Sequence, residues 1–189
     1  MTLSLTLLLH HLGTLPPATY AGALAVAANC SWPLLRQRRT ILALQATGAS
    51  LFGLHYLMLG APTAAAMCAA GVVQGVSAAT LSSRRLRLGL FGASIAAGLA
   101  MTAATFAGIS SALAQCGALL SATGRLQRVP QAIRWCFLAS EAFWVSHNLL
   151  VGSTWGLTSD TLAVTTLLIG LWRGRQPAVA RAALAPARA

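Results

Sequence analysis

Along this chain, apolar runs alternate with two kinds of break: clusters of arginine, and short turns built on glycine or proline. The runs cover residues 17–35, 40–60, 63–82, 88–107, 109–125, 131–151 and 155–172. Each approaches the roughly 20 residues that an α-helix needs to cross a bilayer. The pattern predicts seven helices with short connections. Gly60-Ala61-Pro62 closes the second run and Gly152-Ser153-Thr154 the sixth. Proline lacks a donor N–H and glycine loses the most backbone entropy, so both stop helices. Gly108 is the weakest of the breaks, dividing the fourth run from the fifth. Ahead of the first run, residues 1–14 are apolar without the positive start of a signal peptide. Residues 3–15 are too short to span, which puts His10 and His11 at the outer interface.

Composition turns these helices into membrane helices. The 189 residues are 57% hydrophobic and 8% charged, and their mean hydropathy is +0.71. A soluble domain carries roughly 25% charged residues to cover its surface. A chain this apolar needs lipid around it, and seven spans leave no room for a soluble domain. The expected partner is therefore the bilayer; a homo-oligomer is compatible with the sequence.

The net charge of +11 comes from thirteen arginines, no lysine and two acids. Such a balance raises nucleic acid as a partner. However, the arginines form small clusters between apolar runs, with no basic helix and no stacking platform, so no nucleic acid is expected. Arg36, Arg38 and Arg39 follow the first run. Arg84, Arg85 and Arg87 follow the third. Arg125, Arg128 and Arg134 flank the join of the fifth and sixth, and Arg173, Arg175, Arg181 and Arg188 follow the seventh. The remaining connections carry none. Because cytoplasmic loops retain arginine, the N-terminus is expected outside and the C-terminus in the cytoplasm.

Seven spans suggest a 3+1+3 plan of two parallel three-helix repeats. The stretch Leu54-His55-Tyr56-Leu57-Met58-Leu59-Gly60 aligns with Ser146-His147-Asn148-Leu149-Leu150-Val151-Gly152 at an offset of 92. The expected organisation is a short apolar segment (1–16), a first repeat (17–82), a linker helix (88–107), a second repeat (109–172) and a cytoplasmic tail (173–189). Parallel repeats about an axis along the membrane normal are one transporter design, with the site at the repeat interface.

The stretch Phe143-Trp144-Val145-Ser146-His147-Asn148-Leu149-Leu150-Val151-Gly152-Ser153-Thr154-Trp155-Gly156, followed by Trp172-Arg173, resembles the YgjV family of bacterial inner-membrane proteins. Its pattern is W-V-x-H-N-x-x-x-G-S-x-x-G, and the likeness extends over about residues 20–175. The resemblance implies a multi-pass protein of the bacterial inner membrane, distantly similar to the SWEET and PQ-loop proteins and their 3+1+3 plan. Pro130-Gln131 is the one Pro-Gln dipeptide, and Arg38-Arg39 occupies the aligned place in the first half. The paired motif of PQ-loop proteins is thus missing, and no sugar or amino-acid substrate is carried over.

Chemistry rests on few residues. Glu141 and Asp160 are the only acids, and both fall within predicted spans. An intramembrane carboxylate is costly and marks a candidate functional site. Glu141, Trp144 and Asn148 share one helical face, a stripe able to line a polar cavity and bind a hydroxylated or cationic solute. Equally, Glu141 could be a protonated acid bonded to a neighbouring helix. An Asp160–His147 hydrogen bond is geometrically open, since a tight turn joins their helices. His55 and His147 take equivalent places in the two halves, as a solute or proton site or as side chains fixing the following turn. Asn29, Gln45, Gln74 and Gln115 are expected to bond between helices. Gln74 is also expected to face the seventh helix and touch solute. Trp32, Trp155 and Trp172 read as interface anchors, and Gly71, Gly75, Gly92 and Gly98 as close-packing positions. Cys30, Cys68, Cys116 and Cys136 include no C-x-x-C pair and read as small apolar residues.

No metalloprotease, nucleophile-elbow, phosphate-loop or zinc spacing occurs. The expectation is a non-enzyme without cofactor or metal. It is a transporter or facilitator of a small polar solute, or alternatively a non-transporting membrane subunit or scaffold. Solute or proton candidates are Glu141, Asp160, His147, Asn148, His55, Gln74 and Trp144.

Overall fold

A computed structural model describes residues 16–183, with side chains through residue 175. The N-terminal run with His10 and His11, the side chain of Arg181, and Arg188 lie outside what is described. Among the described residues the regular elements are seven α-helices and one 3-10 turn: α1 (Pro17–Ser31), the turn Trp32–Leu34, α2 (Arg38–Met58), α3 (Pro62–Thr80), α4 (Arg84–Ala104), α5 (Ile109–Leu126), α6 (Pro130–Val151) and α7 (Thr154–Ala183).

The breaks act as their chemistry dictates. Proline stands at the first position of α1, α3 and α6, where its missing N–H would be unpaired anyway and its φ suits a helix. Gly152 closes α6 at φ 68° in the left-handed region. Gly108, the weakest break by sequence, sits at φ 82°, ψ −150° ahead of α5. That region is essentially reserved for glycine, so the α4–α5 boundary is fixed by backbone geometry. One limit differs from expectation. The seventh helix runs past residue 172 to Ala183, through Gly174 and Pro177, although both residue types weaken a helix interior.

Six helices close into a ring in the order α1, α2, α3, α5, α6, α7 and back to α1, while α4 lies outside it against α3 and α5. Only Phe91, Ser94 and Gly98 of α4 are buried. By length and composition α2, α3 and α4 are each able to cross a membrane. Helices α5, α6 and α7 instead bury polar groups, among them Gln115, Arg125, Arg134, Glu141 and Asp160.

Glycines allow close approach at the seams. A Cβ on Gly75 would lie 3.2 Å from the Leu42 carbonyl oxygen, and one on Gly98 would lie 3.2 Å from Met67. Gly92 meets nothing within 4 Å, so its expected packing role is not fulfilled; it belongs to the outer face of α4. Trp32 also departs from its expected place. It is buried against Phe137, with ring centroids 4.9 Å apart, because the 3-10 turn folds it inward. Trp172 is exposed, as an interface anchor requires.

Two arginines of the expected loop clusters close helix ends. Arg38 donates through Nε to the Gln127 carbonyl (2.8 Å), through Nη1 to Ala78 (3.0 Å) and through Nη2 to Arg125 (2.9 Å). Helices leave their last carbonyls unpaired, and this one fork serves the ends of both α3 and α5. Arg134 donates to the carbonyls of Pro33 (2.8 Å) and Leu35 (2.6 Å) and bonds the Gln131 side chain.

Candidate functional site

A cavity of about 80 Å³ lies inside the ring, lined from all six of its helices. A buried water needs about 10–15 Å³ on this measure, so the space suits roughly five to eight waters or a solute of similar size. Three of the sequence candidates, Glu141, Trp144 and Asp160, line it. Glu141 projects from the middle of α6. Asp160 comes from α7, near the end that follows the Gly152 turn, and the two carboxyl groups are within hydrogen-bonding reach of each other.

Asp160 is fixed by a short chain of bonds. Tyr56 on α2 donates its hydroxyl to Asn148 Oδ1 at 2.7 Å, and Asn148 Nδ2 donates to Asp160 Oδ2 at 2.9 Å. The Asp160–His147 bond that the sequence left open does not form; the partner of Asp160 is Asn148, one residue further along α6. The Asn148 carboxamide lies over the backbone of Gly156, where any Cβ would collide with it. Trp144 is seated the same way: a Cβ on Gly117 would come within 2.8 Å of its Nε1. Tyr56 stacks on Trp144 and on Phe52, with centroids 6.2 and 5.7 Å apart. Together the three rings form an aromatic wall beside the carboxyl pair.

The two histidines lie away from the cavity lining. His55 Nδ1 donates to the Ala18 carbonyl at 2.8 Å, which leaves Nε2 to accept from Ser153 Oγ at 3.1 Å. Ser153, buried in the α6–α7 turn, in turn accepts from the Gly156 amide at 3.0 Å. His147 Nδ1 donates to the Ser110 carbonyl at 2.9 Å, and its buried Nε2 has no protein partner. Gln74 does not face α7. Its amide donates to Ser94 Oγ at 3.0 Å and its oxygen accepts from Arg125 Nη1 at 3.1 Å. It lines a void of only about 10 Å³ between α3, α4 and α5.

Sequence reasoning missed Arg125. Its place at the end of the fifth run, in a charge cluster, predicts the cytoplasmic face, yet it is 7% exposed and lines the cavity. Its guanidinium stacks on the Phe137 ring at 5.2 Å and lies against Gly71, where a Cβ would stand 3.1 Å from Nη2. Gly71 is thus a seat for Arg125. The sequence shows only that Ser121 and Arg125 stand one turn apart; that both reach the cavity is a result of packing. Gln45 was expected to bond between helices. It is 2% exposed, lines the same cavity, and neither amide atom has a protein partner. Asn29 does bond as expected, donating to Ser159 at 3.2 Å, and Gln115 accepts from Thr102 at 2.8 Å. No three His, Cys, Asp or Glu side chains gather in a metal-binding group among the described residues.

A family model described as a bacterial inner membrane protein, Imp-YgjV, matches residues 18–177. The chain belongs to that family. The segment matched by Imp-YgjV contains every side chain that lines the cavity, and membership makes the protein one of the bacterial inner membrane. No match was found among curated proteins or solved structures.

Proposed function

We propose that this Imp-YgjV protein is a transporter or facilitator of a small polar solute, built on a SWEET-like plan of two parallel three-helix repeats joined by α4. The observation that carries the reading is the polar cavity at the centre of the six-helix ring, to which both halves contribute.

Several features support the repeat. Helices α5, α6 and α7 begin 92 positions after α1, α2 and α3, at Ile109 against Pro17, Pro130 against Arg38, and Thr154 against Pro62. The same offset relates the His55–Ala18 and His147–Ser110 bonds. It also relates Tyr56 to Asn148, which bond each other. Two equivalent residues meet only where a two-fold axis passes between them. In this reading seven helices span the membrane, the arginine-bearing connections face the cytoplasm, and the N-terminus is outside.

A site between repeats suits alternating access, since either half can rock against the other around a fixed centre. Glu141 and Asp160, which both line the cavity, are the natural groups to take up and release a proton during a cycle. A non-transporting scaffold would pair its buried polar groups and leave no void. The unpartnered Gln45 amide beside the cavity counts against that alternative.

Proteoliposomes holding the purified protein should take up labelled solute from a panel of sugars, amino acids and cations. E141Q should cut the rate at least tenfold while the protein remains folded. If nothing on the panel moves, and E141Q leaves cells unaffected, the transport reading is lost.

A further inference from the structure

The cavity holds opposite charges at two levels. Gln45 and Phe137 each stand seven residues into their helices, and Phe137 carries the Arg125 guanidinium on its ring. Glu141 stands one turn further along α6, about 6 Å at 1.5 Å per residue. There it meets Asp160. Arg125 spends one Nη1 donor on Gln74 and keeps a buried Nε with no protein partner. Gln45 lines the same void, and neither its amide donor nor its amide acceptor has a protein partner. The guanidinium at one level and the carboxyl pair at the other thus give the lining two ends of opposite character.

We infer that the cavity binds a small zwitterion of the amino-acid type, its carboxylate on Arg125 and Gln45 and its ammonium on Glu141 and Asp160. This rests on, and narrows, the transport reading above. Away from water, a charge without a counter-charge is strongly disfavoured. A neutral solute carrying both signs satisfies the two ends and adds no net charge. A lone anion or cation leaves one end unmatched, and a sugar uses neither charge. Arginine's planar fork is suited to a carboxylate. Buried groups built to pair with a charged partner reject analogues lacking it, since they are then left unpaired. The volume of about 80 Å³ limits the solute to the scale of glycine, alanine or serine.

The full-length protein in detergent supports the test without any variant. Its thermal midpoint and tryptophan fluorescence would be followed with glycine, alanine and serine. The same readings would be taken with alanine methyl ester (no carboxylate), N-acetylalanine (no ammonium) and a small polyol. The zwitterions should raise the midpoint, and each blocked analogue should bind at least tenfold more weakly. R125Q should remove the preference for alanine over its ester, and D160N the preference over N-acetylalanine. Equal binding of polyol or blocked analogues, or no response to any zwitterion, overturns the inference. Uptake separates the two claims. Zwitterion binding without transport defeats the transport reading alone, whereas transport of a sugar or a cation without zwitterion binding defeats this inference alone.

Discussion

Arg134 illustrates how one side chain can hold a helix junction together. Its fork closes the carbonyls of Pro33 and Leu35 just past α1, and its own side chain is withdrawn from water. R134A leaves two acceptors unsatisfied, at about 1–3 kcal/mol each. The expected result is a clear drop in the thermal midpoint of the detergent-purified protein. R134K should recover only part of it, because an ammonium cannot reproduce the fork. Gly156 is a second such position. Its missing side chain is the space occupied by the Asn148 carboxamide. G156A should cost about 1–3 kcal/mol through overpacking and displace Asn148 from Asp160. Both effects are readable in a thermal melt combined with the solute-binding assay. N148L should go further, stranding the Tyr56 hydroxyl and an Asp160 oxygen together.

Among the elements, α4 stands apart because it lies outside the ring and packs chiefly against α3 and α5. Its glycines should therefore divide by face. Gly89 and Gly92 meet nothing within 4 Å, whereas a Cβ on Gly98 meets Met67. The G89A/G92A double variant should be as stable as the parent or gain up to about 1 kcal/mol per site, from helix propensity alone. G98L should loosen α4 from α3 and lower the melting temperature. Equal losses in both variants would mean that the outer face of α4 is occupied by a partner. The start of every helix in the second half could be read from its break, since proline and glycine act locally. The neighbours of each helix could not. The run of α4 does differ from the six that close the ring, since it alone carries no Asn, Gln, His or acid, but the order in which the six pack is not written in runs of so little facial contrast.

At the scale of the whole molecule, the arginines and the cavity make separate claims. The charge pattern predicts sidedness. In a variant with Cys30, Cys68, Cys116 and Cys136 replaced, single cysteines at Gly60 and Phe106 should react with a membrane-impermeant thiol reagent added outside intact cells. Cysteines at Ser82 and Arg128 should react only after permeabilisation. The reverse pattern would invert the topology and, with it, the face from which solute enters.

All thirteen arginines lie at or beyond the ends of the apolar runs, which is sufficient to mark the span limits. Burial is decided by the packing of the chain. Arg125 is near the end of α5, but its long side chain extends along Gly71 and Phe137 into the interior. The sequence alone determined the helices and their breaks, because these follow from local backbone chemistry and from the cost of polar groups in lipid, and its Trp144–Gly156 motif carried the resemblance to the family. It also singled out Glu141 and Asp160, since an acid within an apolar run is costly unless it is paired or put to use. Only the tertiary structure decided that these acids meet each other, that Asn148 rather than His147 holds Asp160, and that an arginine and an unpaired glutamine share their cavity. Such meetings depend on helix rotation and on the few glycines that let side chains through. Apolar runs with little facial contrast do not record that rotation.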